Sequence, residues 1–443
     1  MILDPETLPK PFLSRMEQIL GREYPAYLAS LKEAPFKVAR INTLKHENTP
    51  LPGFDMIPSG FAENSWLIRT EGRLGGTPEY LSGVLYPQEP SASLPVTALG
   101  VRPGMMVLDL CAAPGSKSTQ IAELLDHSGL LVCNEIVRKR AEILKENIER
   151  HGIANAVVLN STPQKIAASF GAVFDAVLAD APCSGEGMFR REEDAVAMWS
   201  QENVLFCARR QKEILEEAAK CVKPGGRLLY STCTFSEEEN EENVQWFLDA
   251  HPEFELVEIP GKGHHGTAVL KEAEKVRRIY PMDGGEGQFL ACFQKEKSDD
   301  MPRTSLPVLK SDPVPKCVKA FLETELTRSF PVLYVHKDQV YGGTHAFIDC
   351  RGNALLRHQT YLGAVSRDRF EPSHALALSA YASFVKQIDL NEEETEKYRR
   401  GETIRKSCPK GWIAVRAKGF VIGLAKSDGM ILKNHYPKSF RIR

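Results

Sequence analysis

Short apolar runs alternate with amphipathic segments over residues 105–233, and this alternation limits the choice of fold more than any other feature of the sequence. Five short apolar runs predict strands: MMVLDL, LLVCNE, AVVLN, FDAVLAD and RLLYSTC. The segments between them predict helices, among them SKSTQIAELLD, RKRAEILKENIERHG and a long one near 203–222. Strands and helices in alternation are typical of a doubly wound, mostly parallel sheet, so we predict an α/β fold. Two later runs, ELVEI and QFLACFQK, predict an antiparallel pair at the sheet edge.

The rest of the chain predicts further domains on both sides of this region. The N-terminal part contains both helix and strand patterns. A polar, proline-rich stretch after the last predicted strand predicts a linker. We therefore expect an N-terminal α+β domain, a central α/β domain, a linker, a small middle region and a terminal domain, over residues 1–95, 96–296, 297–316, 317–383 and 384–443.

Composition indicates an ordinary globular chain, with 42% hydrophobic and 26% charged residues. No apolar run reaches the roughly 18–20 residues that cross a bilayer, and the N-terminus lacks the pattern of a secretory signal. The ten cysteines are scattered, without a C-x-x-C pair or the spacing of a zinc site. We therefore expect reduced thiols in a cytoplasmic protein that holds no metal and has no membrane partner.

Charge is distributed unevenly along the chain. The net charge is −2, yet residues 401–443 contain ten Lys or Arg and only two Asp or Glu. A basic terminal segment on a mildly acidic body predicts a polyanionic partner such as a nucleic acid. A solvated basic surface with no partner is the alternative interpretation.

The first strand is followed by the turn DLCAAPGSKS, residues 109–118. In a doubly wound fold such a turn borders the ligand site. It matches neither the P-loop pattern nor G-x-G-x-x-G, because Gly115 is its only glycine. The lack of a glycine-rich phosphate cradle favours a nucleoside without phosphates, such as S-adenosylmethionine, whose carboxylate would meet the amides that open the next helix.

Two acidic residues stand where strands of the predicted sheet end. Glu135 ends the second strand, where a carboxylate can accept hydrogen bonds from ribose hydroxyls, although a plain surface glutamate is also compatible with the pattern. Asp180 ends the fourth strand at the same edge, so we expect it to line the same cleft.

Two cysteines follow neighbouring strands. Cys183 lies just beyond the fourth strand and Cys233 just beyond the fifth, so both should face one cleft. Cys183 alone is compatible with a nucleophile, a metal ligand or a small core residue. Ser236 and Glu239 form the S-x-x-E pattern of a helix capping box, so the acidic run SEEENEEN is interpreted as structural rather than metal-binding.

Taken together, these motifs resemble a known enzyme family. CAAPGSKS, DAPCSGEGMFRR, KPGGRLLYSTCTFSEEENE and RIYPMDGGEGQFLACFQK are similar to successive motifs of the RNA 5-methylcytosine methyltransferases (NOL/NOP/Sun family), and RINTLK and YPQEPSASLP resemble that family's upstream motifs. The ending LKNHYPKSFRIR resembles the PUA-like terminus of the bacterial RsmF group, which acts on small-subunit rRNA. The resemblance covers nearly the whole chain. It implies a class I, Rossmann-like S-adenosylmethionine-dependent methyltransferase with a C-terminal PUA-like domain.

The resemblance also implies a reaction, methylation of cytosine C5 in 16S rRNA. Cys233 would attack C6 of the base, Cys183 would assist release, and Asp180 would bind the N3/N4 edge. In DNA 5-methylcytosine enzymes the cysteine that follows proline attacks, which would reverse the two thiols. A tRNA substrate, or a non-catalytic ribosome-assembly factor that only binds RNA, are further alternatives.

The cofactor site implied by the resemblance includes the whole first turn. Its members are Cys111, Ala112, Ala113, Pro114, Gly115, Ser116 and Lys117, together with Glu135, Arg140, Thr162 and Asp180. At the end of the third strand, where the family usually has an aspartate near the adenine, this chain has Asn160, Ser161 and Thr162 instead. The pattern does not decide which of these three residues contacts the cofactor. Lys117 either polarises the catalytic network or is an ordinary surface lysine.

RNA binding is expected beside the cleft and at the C-terminus. A base can be methylated at C5 only after it leaves the helical stack. We expect phosphate contacts from the basic residues beside the cleft and in the tail, with stacking by the interleaved aromatic side chains. The candidates are Arg190, Arg191, Lys433, Tyr436, Lys438 and Arg441. The partner would be 16S rRNA or the small ribosomal subunit, and nothing in the sequence demands more than a monomer.

Overall fold

The computed structural model describes residues 2–298 and 306–442. Its N-terminal part combines two helices with a small antiparallel sheet in the order β2-β3-β1-β4, and one short helix lies before the last strand and another after it. The elements are α1 (Lys10–Leu20), α2 (Tyr24–Leu31), β1 (Val38–Ile41), β2 (Met56–Pro58), β3 (Ser65–Ile68), α3 (Pro78–Leu81), β4 (Leu85–Gln88) and α4 (Leu94–Leu99).

The central part alternates strands and helices as the apolar periodicity predicts. Its strands are β5 (Met106–Asp109), β6 (Leu130–Asn134), β7 (Ala156–Asn160), β8 (Phe174–Asp180), β9 (Val222–Thr232), β10 (Phe254–Val257), β11 (Arg277–Ile279) and β12 (Gln288–Lys295). Its helices are α5 (Ser116–Leu125), α6 (Arg138–Arg150), α7 (Pro163–Phe170), α8 (Glu193–Met198), α9 (Gln201–Cys221) and α10 (Glu241–Ala250).

These strands form one sheet. Strands β5 to β9 pair in parallel, and the edge pair β10 and β12 is antiparallel, which confirms the predicted doubly wound arrangement. Both faces are covered because successive side chains on a strand point to opposite sides. Leu108 and Val177 pack in one hydrophobic cluster, whereas Val107 and Leu178 pack in the other.

The chain after the central part contributes two more sheets. The middle elements are α11 (Lys316–Glu325), β13 (Val332–His336), β14 (Gln339–Gly343), β15 (Ala354–His358), β16 (Thr360–Ser366), β17 (Arg369–Pro372) and α12 (His374–Ala377). The terminal elements are β18 (Gln387–Leu390), α13 (Glu392–Arg400), β19 (Ile404–Arg405), β20 (Gly411–Ala417), β21 (Phe420–Ser427) and β22 (Ile431–Asn434). Phe370 and Trp412 belong to one hydrophobic cluster, so the two parts pack together.

One strand of the middle region joins the central sheet. Strand β15 pairs antiparallel with β7, giving the order β10-β12-β9-β8-β5-β6-β7-β15. This pairing was not predicted from the sequence. The proposed linker falls partly outside the described residues, and α11 already begins at Lys316. None of the helices described here is long and apolar enough to span a membrane.

The N-terminal part is held to the central sheet by a buried ion pair. The Arg40 guanidinium on β1 donates to the Glu123 carboxylate on α5 at 3.1 Å and to Gln88 at 2.8 Å. Arg40 is fully buried, and a buried cation of this kind needs both a carboxylate and further hydrogen bonds to be stable. Arg40 also donates to the Ser116 carbonyl at 3.0 Å, so it contacts both the first and the last turn of α5.

Candidate active site

A cleft of about 680 Å³ opens at the carboxyl ends of the parallel strands. A cleft of this size at this edge is the usual ligand site of a doubly wound sheet. Seven of the residues assigned to the site from the sequence line it: Cys111, Ala113, Glu135, Arg140, Asp180, Cys183 and Cys233. Ala112, Pro114, Ser116 and Lys117 line a small pocket that also contains Cys111 and Asp180.

The turn between β5 and α5 presents backbone amides to this region. Gly115 has φ +111° and opens α5 without a side-chain cap, so the first amides of the helix are not covered by a capping side chain. A Cβ at Gly115 would lie 3.2 Å from the Leu144 side chain, so little room exists for a larger residue. Such a helix start accepts a carboxylate or another anion.

Asp109 supports the turn from beneath. Burial raises its pKa to about 7, although the Ser118 hydroxyl, which donates to Oδ2 at 2.6 Å, opposes that rise. Its Oδ1 is buried and has no hydrogen-bond partner among the described residues. The Asp109 carboxyl is completely covered by protein, so its role is to stabilise the turn from inside.

Glu135 stands at the end of β6 as expected. Its Oε1 accepts from the Val137 amide at 2.8 Å, and its Oε2 lies 3.3 Å from the Arg140 guanidinium. Arg140 also donates to the Ala113 carbonyl at 2.8 Å, which links the two loops. A carboxylate at this strand end and an uncapped helix start fit the ribose and the carboxylate of S-adenosylmethionine.

The residues after β7 have structural hydrogen bonds. The Asn160 amide donates to the Glu135 carbonyl at 2.7 Å and so fixes the loop that carries Glu135. The Thr162 hydroxyl caps α7 by accepting from the Lys165 amide at 3.3 Å. The next residues, Pro163 and Gln164, line the cleft. The assignment of Thr162 to the cofactor stays a prediction.

The two thiols lie together, as the strand order predicts. The Cys183 and Cys233 sulfurs are 3.2 Å apart, and both cysteines are free rather than joined in a disulfide. The Cys233 amide also approaches the Cys183 sulfur at 3.4 Å. The hydrogen bond to Cys233 and burial raise the pKa of Cys183 well above its ordinary value.

Asp180 is held by two donors at the same cleft. The Lys117 ammonium donates to Oδ2 at 2.8 Å and the Ser231 hydroxyl donates to Oδ1 at 2.7 Å. Burial lowers the pKa of Lys117, but the Asp180 charge and hydrogen bond outweigh it and the net pKa is raised. Lys117 therefore stays charged, and it is not an ordinary surface lysine, since its side chain is 11% exposed.

Glu239 positions the loop that carries Cys183, a role that its sequence pattern does not indicate. Its carboxylate accepts from the Ser184 amide at 3.0 Å and from Gln211 at 2.7 Å. Burial raises its pKa to about 7. The predicted capping box is wrong in one half. The Ser236 hydroxyl does accept from the Glu239 amide, but the Glu239 carboxylate reaches Ser184, and α10 begins later, at Glu241.

Arg190 does not face RNA, contrary to the expectation from its place beside the cleft. It is 2% exposed and donates to Glu286 at 2.9 Å and to the Ser30 carbonyl at 2.9 Å. Its guanidinium joins α2 to the central domain, and no solvent-facing edge remains for a phosphate. Arg191 is more exposed, although it also contacts Glu286 at 3.2 Å.

The C-terminal candidates divide into two groups. Lys433 and Lys438 are exposed, whereas Tyr436 is 4% exposed and packs its ring 5.3 Å from that of Tyr398. Tyr436 is therefore a core residue of the terminal domain and cannot stack on RNA bases. The Arg441 guanidinium donates to the Tyr436 carbonyl at 3.1 Å and braces the chain end.

The described residues contain no group of three or more His, Cys, Asp or Glu placed to hold a metal ion. The acidic side chains after Cys233 form contacts within the protein instead. Glu241, for example, forms an ion pair with Arg278 that is almost fully buried. Its carboxylate is thus committed to a structural contact, which agrees with the structural interpretation of that run.

Four family models match successive parts of the chain. They are the N-terminal domain of 16S rRNA methyltransferase RsmF (residues 8–90), 16S rRNA methyltransferase RsmB/F (96–294), the RsmF rRNA methyltransferase first C-terminal domain (320–379) and the methyltransferase RsmF PUA domain (385–442). Together they leave only short connecting stretches unmatched.

Curated relatives match over nearly their full length. Ribosomal RNA small subunit methyltransferase F of Vibrio vulnificus (strain YJ016) is 32% identical and 97% of each chain is covered. The protein of the same name from Klebsiella pneumoniae (strain 342) is 32% identical, with 97% of this chain and 96% of the relative covered.

Solved structures match the catalytic part. A methyltransferase homolog protein from Pyrococcus horikoshii is 30% identical with a TM-score of 0.59, covering 66% of this chain and 100% of that one. NSun6 from the same organism, solved with SFG, has a TM-score of 0.59 and the same coverage, and at 21% identity it shows the fold alone.

These matches agree with the geometry of the cleft. They confirm the predicted class I, Rossmann-like methyltransferase fold with a PUA-like C-terminal domain. They also confirm that the chain is a methyltransferase that uses S-adenosylmethionine as its methyl donor. The chain belongs to the RsmB/F family of 16S rRNA methyltransferases.

Proposed function

We propose that this enzyme methylates cytosine C5 in 16S rRNA through a transient bond between the Cys233 sulfur and C6 of the base. One observation carries the proposal, the 3.2 Å contact between Cys183 and Cys233 at the mouth of a cleft that also holds Asp180. The names of the relatives from Vibrio vulnificus and Klebsiella pneumoniae support the choice of RNA.

Covalent attack by Cys233 solves a reactivity problem. Cytosine C5 is a weak nucleophile, but addition of the Cys233 thiolate to C6 turns the ring into an enamine with electron density at C5. Bound S-adenosylmethionine supplies an electrophilic methyl group. After C5 is methylated, the C5 proton must leave before the C6–S bond breaks and returns the thiolate.

Cys183 is placed to accept the C5 proton. It lies beside the sulfur that forms the bond. Once Cys233 is bound to C6 as an uncharged thioether, Cys183 loses its proton to solvent and its thiolate can take up the C5 proton. A thiol with a raised pKa gives a more basic thiolate, which favours transfer of the C5 proton to Cys183. Loss of that proton restores the ring double bond and expels the Cys233 thiolate.

Asp180 orients the target base in this proposal. Its carboxylate accepts from the cytosine N4 amino group and fixes the base while ring N3 takes up the proton that Cys233 has lost, so the attacked ring is not left with a negative charge. Lys117 and Ser231 hold that carboxylate in one position, so its orientation does not depend on the substrate. The loop 111–117, Glu135 and Arg140 keep the cofactor role assigned from the sequence.

The two thiols can be separated by substitution. Labelled methyl transfer to deproteinised 16S rRNA is measured together with protein–RNA complexes that survive denaturing gels. Cys233→Ala should abolish both signals. Cys183→Ala should form the resistant complex but lose turnover by at least about 100-fold, because release lacks its base. Cys317→Ala, a half-buried cysteine on α11 that does not line the cleft, is the matched control and should remain close to wild type.

The opposite pattern would reverse the assignments. A resistant complex with Cys233→Ala but none with Cys183→Ala would make Cys183 the nucleophile. Transfer to tRNA in place of rRNA would change the substrate, and no transfer by the wild-type chain would favour an RNA-binding assembly factor. Bisulfite mapping of rRNA from a deletion strain identifies the cytosine. We also propose that the protein is a cytoplasmic monomer and that its domains have the boundaries predicted from the sequence.

A further inference from the structure

The charges that line the cleft are unusual for a site that receives RNA. The cleft is lined by the carboxylates Glu135, Asp180, Glu192, Asp194 and Glu213, and by two arginines. An RNA strand carries one negative charge for each phosphate, so it needs cations along its path. The RNA backbone is therefore expected to enter the cleft beside a cation that is not already paired with a carboxylate.

Arg140 and Arg210 are the two arginines that line the cleft. Arg140 is paired with Glu135 at 3.3 Å. Among the described residues Arg210 forms no ion pair, and its hydrogen bond there is a long one to the Cys207 sulfur at 3.8 Å. Its Nε is buried without a partner. A guanidinium in this state is available to an anion.

An exposed aromatic side chain lies against Arg210. Phe206 is 52% exposed, and its ring centroid lies 5.5 Å from the Arg210 guanidinium carbon. Met198, an apolar residue that lines the cleft, is 73% exposed. An exposed aromatic ring beside a cation is the combination with which single-stranded nucleic acid is bound.

We propose that Phe206 and Arg210 form the subsite for the nucleotide next to the target cytosine. Phe206 stacks on the base of that nucleotide and Arg210 binds the phosphate that joins it to the target. A base that leaves its stack exposes a face of its neighbour, and the Phe206 ring covers that face. This inference rests on the proposed function, because it requires an RNA substrate in the cleft.

The test uses the full-length enzyme with deproteinised 16S rRNA. Arg210→Ala should raise KM for RNA about tenfold while kcat stays within twofold. It should also make the log–log dependence of RNA affinity on salt shallower by about 0.7, the value for one phosphate on a single strand. Arg210→Lys should keep the wild-type salt dependence, because it retains the charge.

Phe206→Ala should raise KM about tenfold without changing the salt dependence, since stacking releases no counterions. Arg209→Ala is the matched control, because Arg209 is an exposed arginine one residue away that does not line the cleft. The KM of this control should stay within twofold of wild type, and the salt dependence of its RNA affinity should be unchanged. If Arg210→Ala does not fold, Arg210→Gln keeps a polar side chain with its two inner methylene groups and removes the charge.

Unchanged KM and salt dependence in both the Arg210 and Phe206 variants would overturn the subsite. A fall in kcat at constant KM for the Arg210 variants would also overturn it, because the guanidinium would then act on the thiols rather than on a phosphate. Failure of the proposed function looks different, since the wild-type enzyme itself would then transfer no methyl group to RNA.

Discussion

The cleft and the terminal domain contrast in how their candidate residues are used. At the cleft, the strand ends bring Asp180 and the two thiols, Cys183 and Cys233, to one opening. In the terminal domain, Lys433 faces outward while Tyr436 faces the core. Topology fixes the position of a residue that follows a parallel strand, whereas a basic and aromatic composition does not say which way each side chain points.

The difference has a local cause. Strand β22 alternates, so Leu432 is buried and Lys433 is exposed. The chain then turns, and Tyr436 enters the core against Tyr398 and His374. Aromatic residues between lysines therefore serve the hydrophobic core here, because a small domain has few other large side chains with which to fill it.

The largest expected effect tests the cleft. Asp180→Asn should lower the single-turnover rate of methyl transfer by about 100- to 1000-fold, since the variant keeps an acceptor for Lys117 but loses the charge that meets the base. Asp175→Asn on the same strand is the control, because Asp175 binds the Met106 amide at the other end of the sheet. Equal rates for the Asp180 variant and wild type would remove Asp180 from the chemistry.

The second expected effect tests the terminal domain. Tyr436→Ala should destabilise that domain by about 3–5 kcal/mol, as for other large aromatic side chains removed from a core, whereas Tyr436→Phe should cost much less. Hydrogen exchange of the amides of β20 and β21 measures the loss directly. Weaker RNA binding with unchanged exchange would mean that Tyr436 does stack on RNA.

Much of the central sheet was predictable, and the exceptions share one origin. The apolar runs before Asp109 and Asp180 have a clear strand period, and their order predicts which ends meet. Strand β15 carries no comparable signal, because its sequence ALLRH includes Arg357 and His358 and pairs with β7 through a bulge. Its place depends on a partner almost 200 residues away, which local pattern does not encode.

The same limit explains the polar residues that were misassigned. Arg190 follows a cleft motif, but its carboxylate partner, Glu286, is distant in sequence, so adjacency to the motif predicted exposure wrongly. Glu239 fits a local capping pattern with Ser236, yet the Ser184 amide takes its carboxylate. In both cases the buried charge forms a hydrogen bond with a residue that is distant in sequence, because an unpaired buried charge is costly.

The third expected effect is a pH dependence that originates in the cleft. Burial raises the pKa of Glu239 from 4.5 to about 7, so the folded state binds that proton more tightly than the unfolded state. The resulting stability is complete below about pH 4.5 and is lost as the pH rises through 7, by at most about 3 kcal/mol. Glu239→Gln, which mimics the neutral form, should lose less stability than wild type between pH 5 and pH 8.

Urea unfolding at the two pH values gives that comparison. Parallel losses in the Glu239→Gln variant and wild type would show that the carboxyl is ionised in the folded protein throughout this range. The position of Cys183 would then depend on a charged acceptor for the Ser184 amide, and the buried Glu239 Oε1, which has no hydrogen-bond partner among the described residues, would carry part of that charge.

The smallest expected effect returns to the terminal domain. Lys433→Ala combined with Lys438→Ala should weaken rRNA binding several-fold and make its log–log salt dependence shallower by about 1.4, because two phosphate contacts are lost. Both lysines are exposed, so the free energy of unfolding should change by less than about 0.5 kcal/mol. The measurement is the rRNA affinity of the double variant and of wild type over a series of salt concentrations. An unchanged slope would leave the cleft, through Arg210, as the place where the RNA backbone is held.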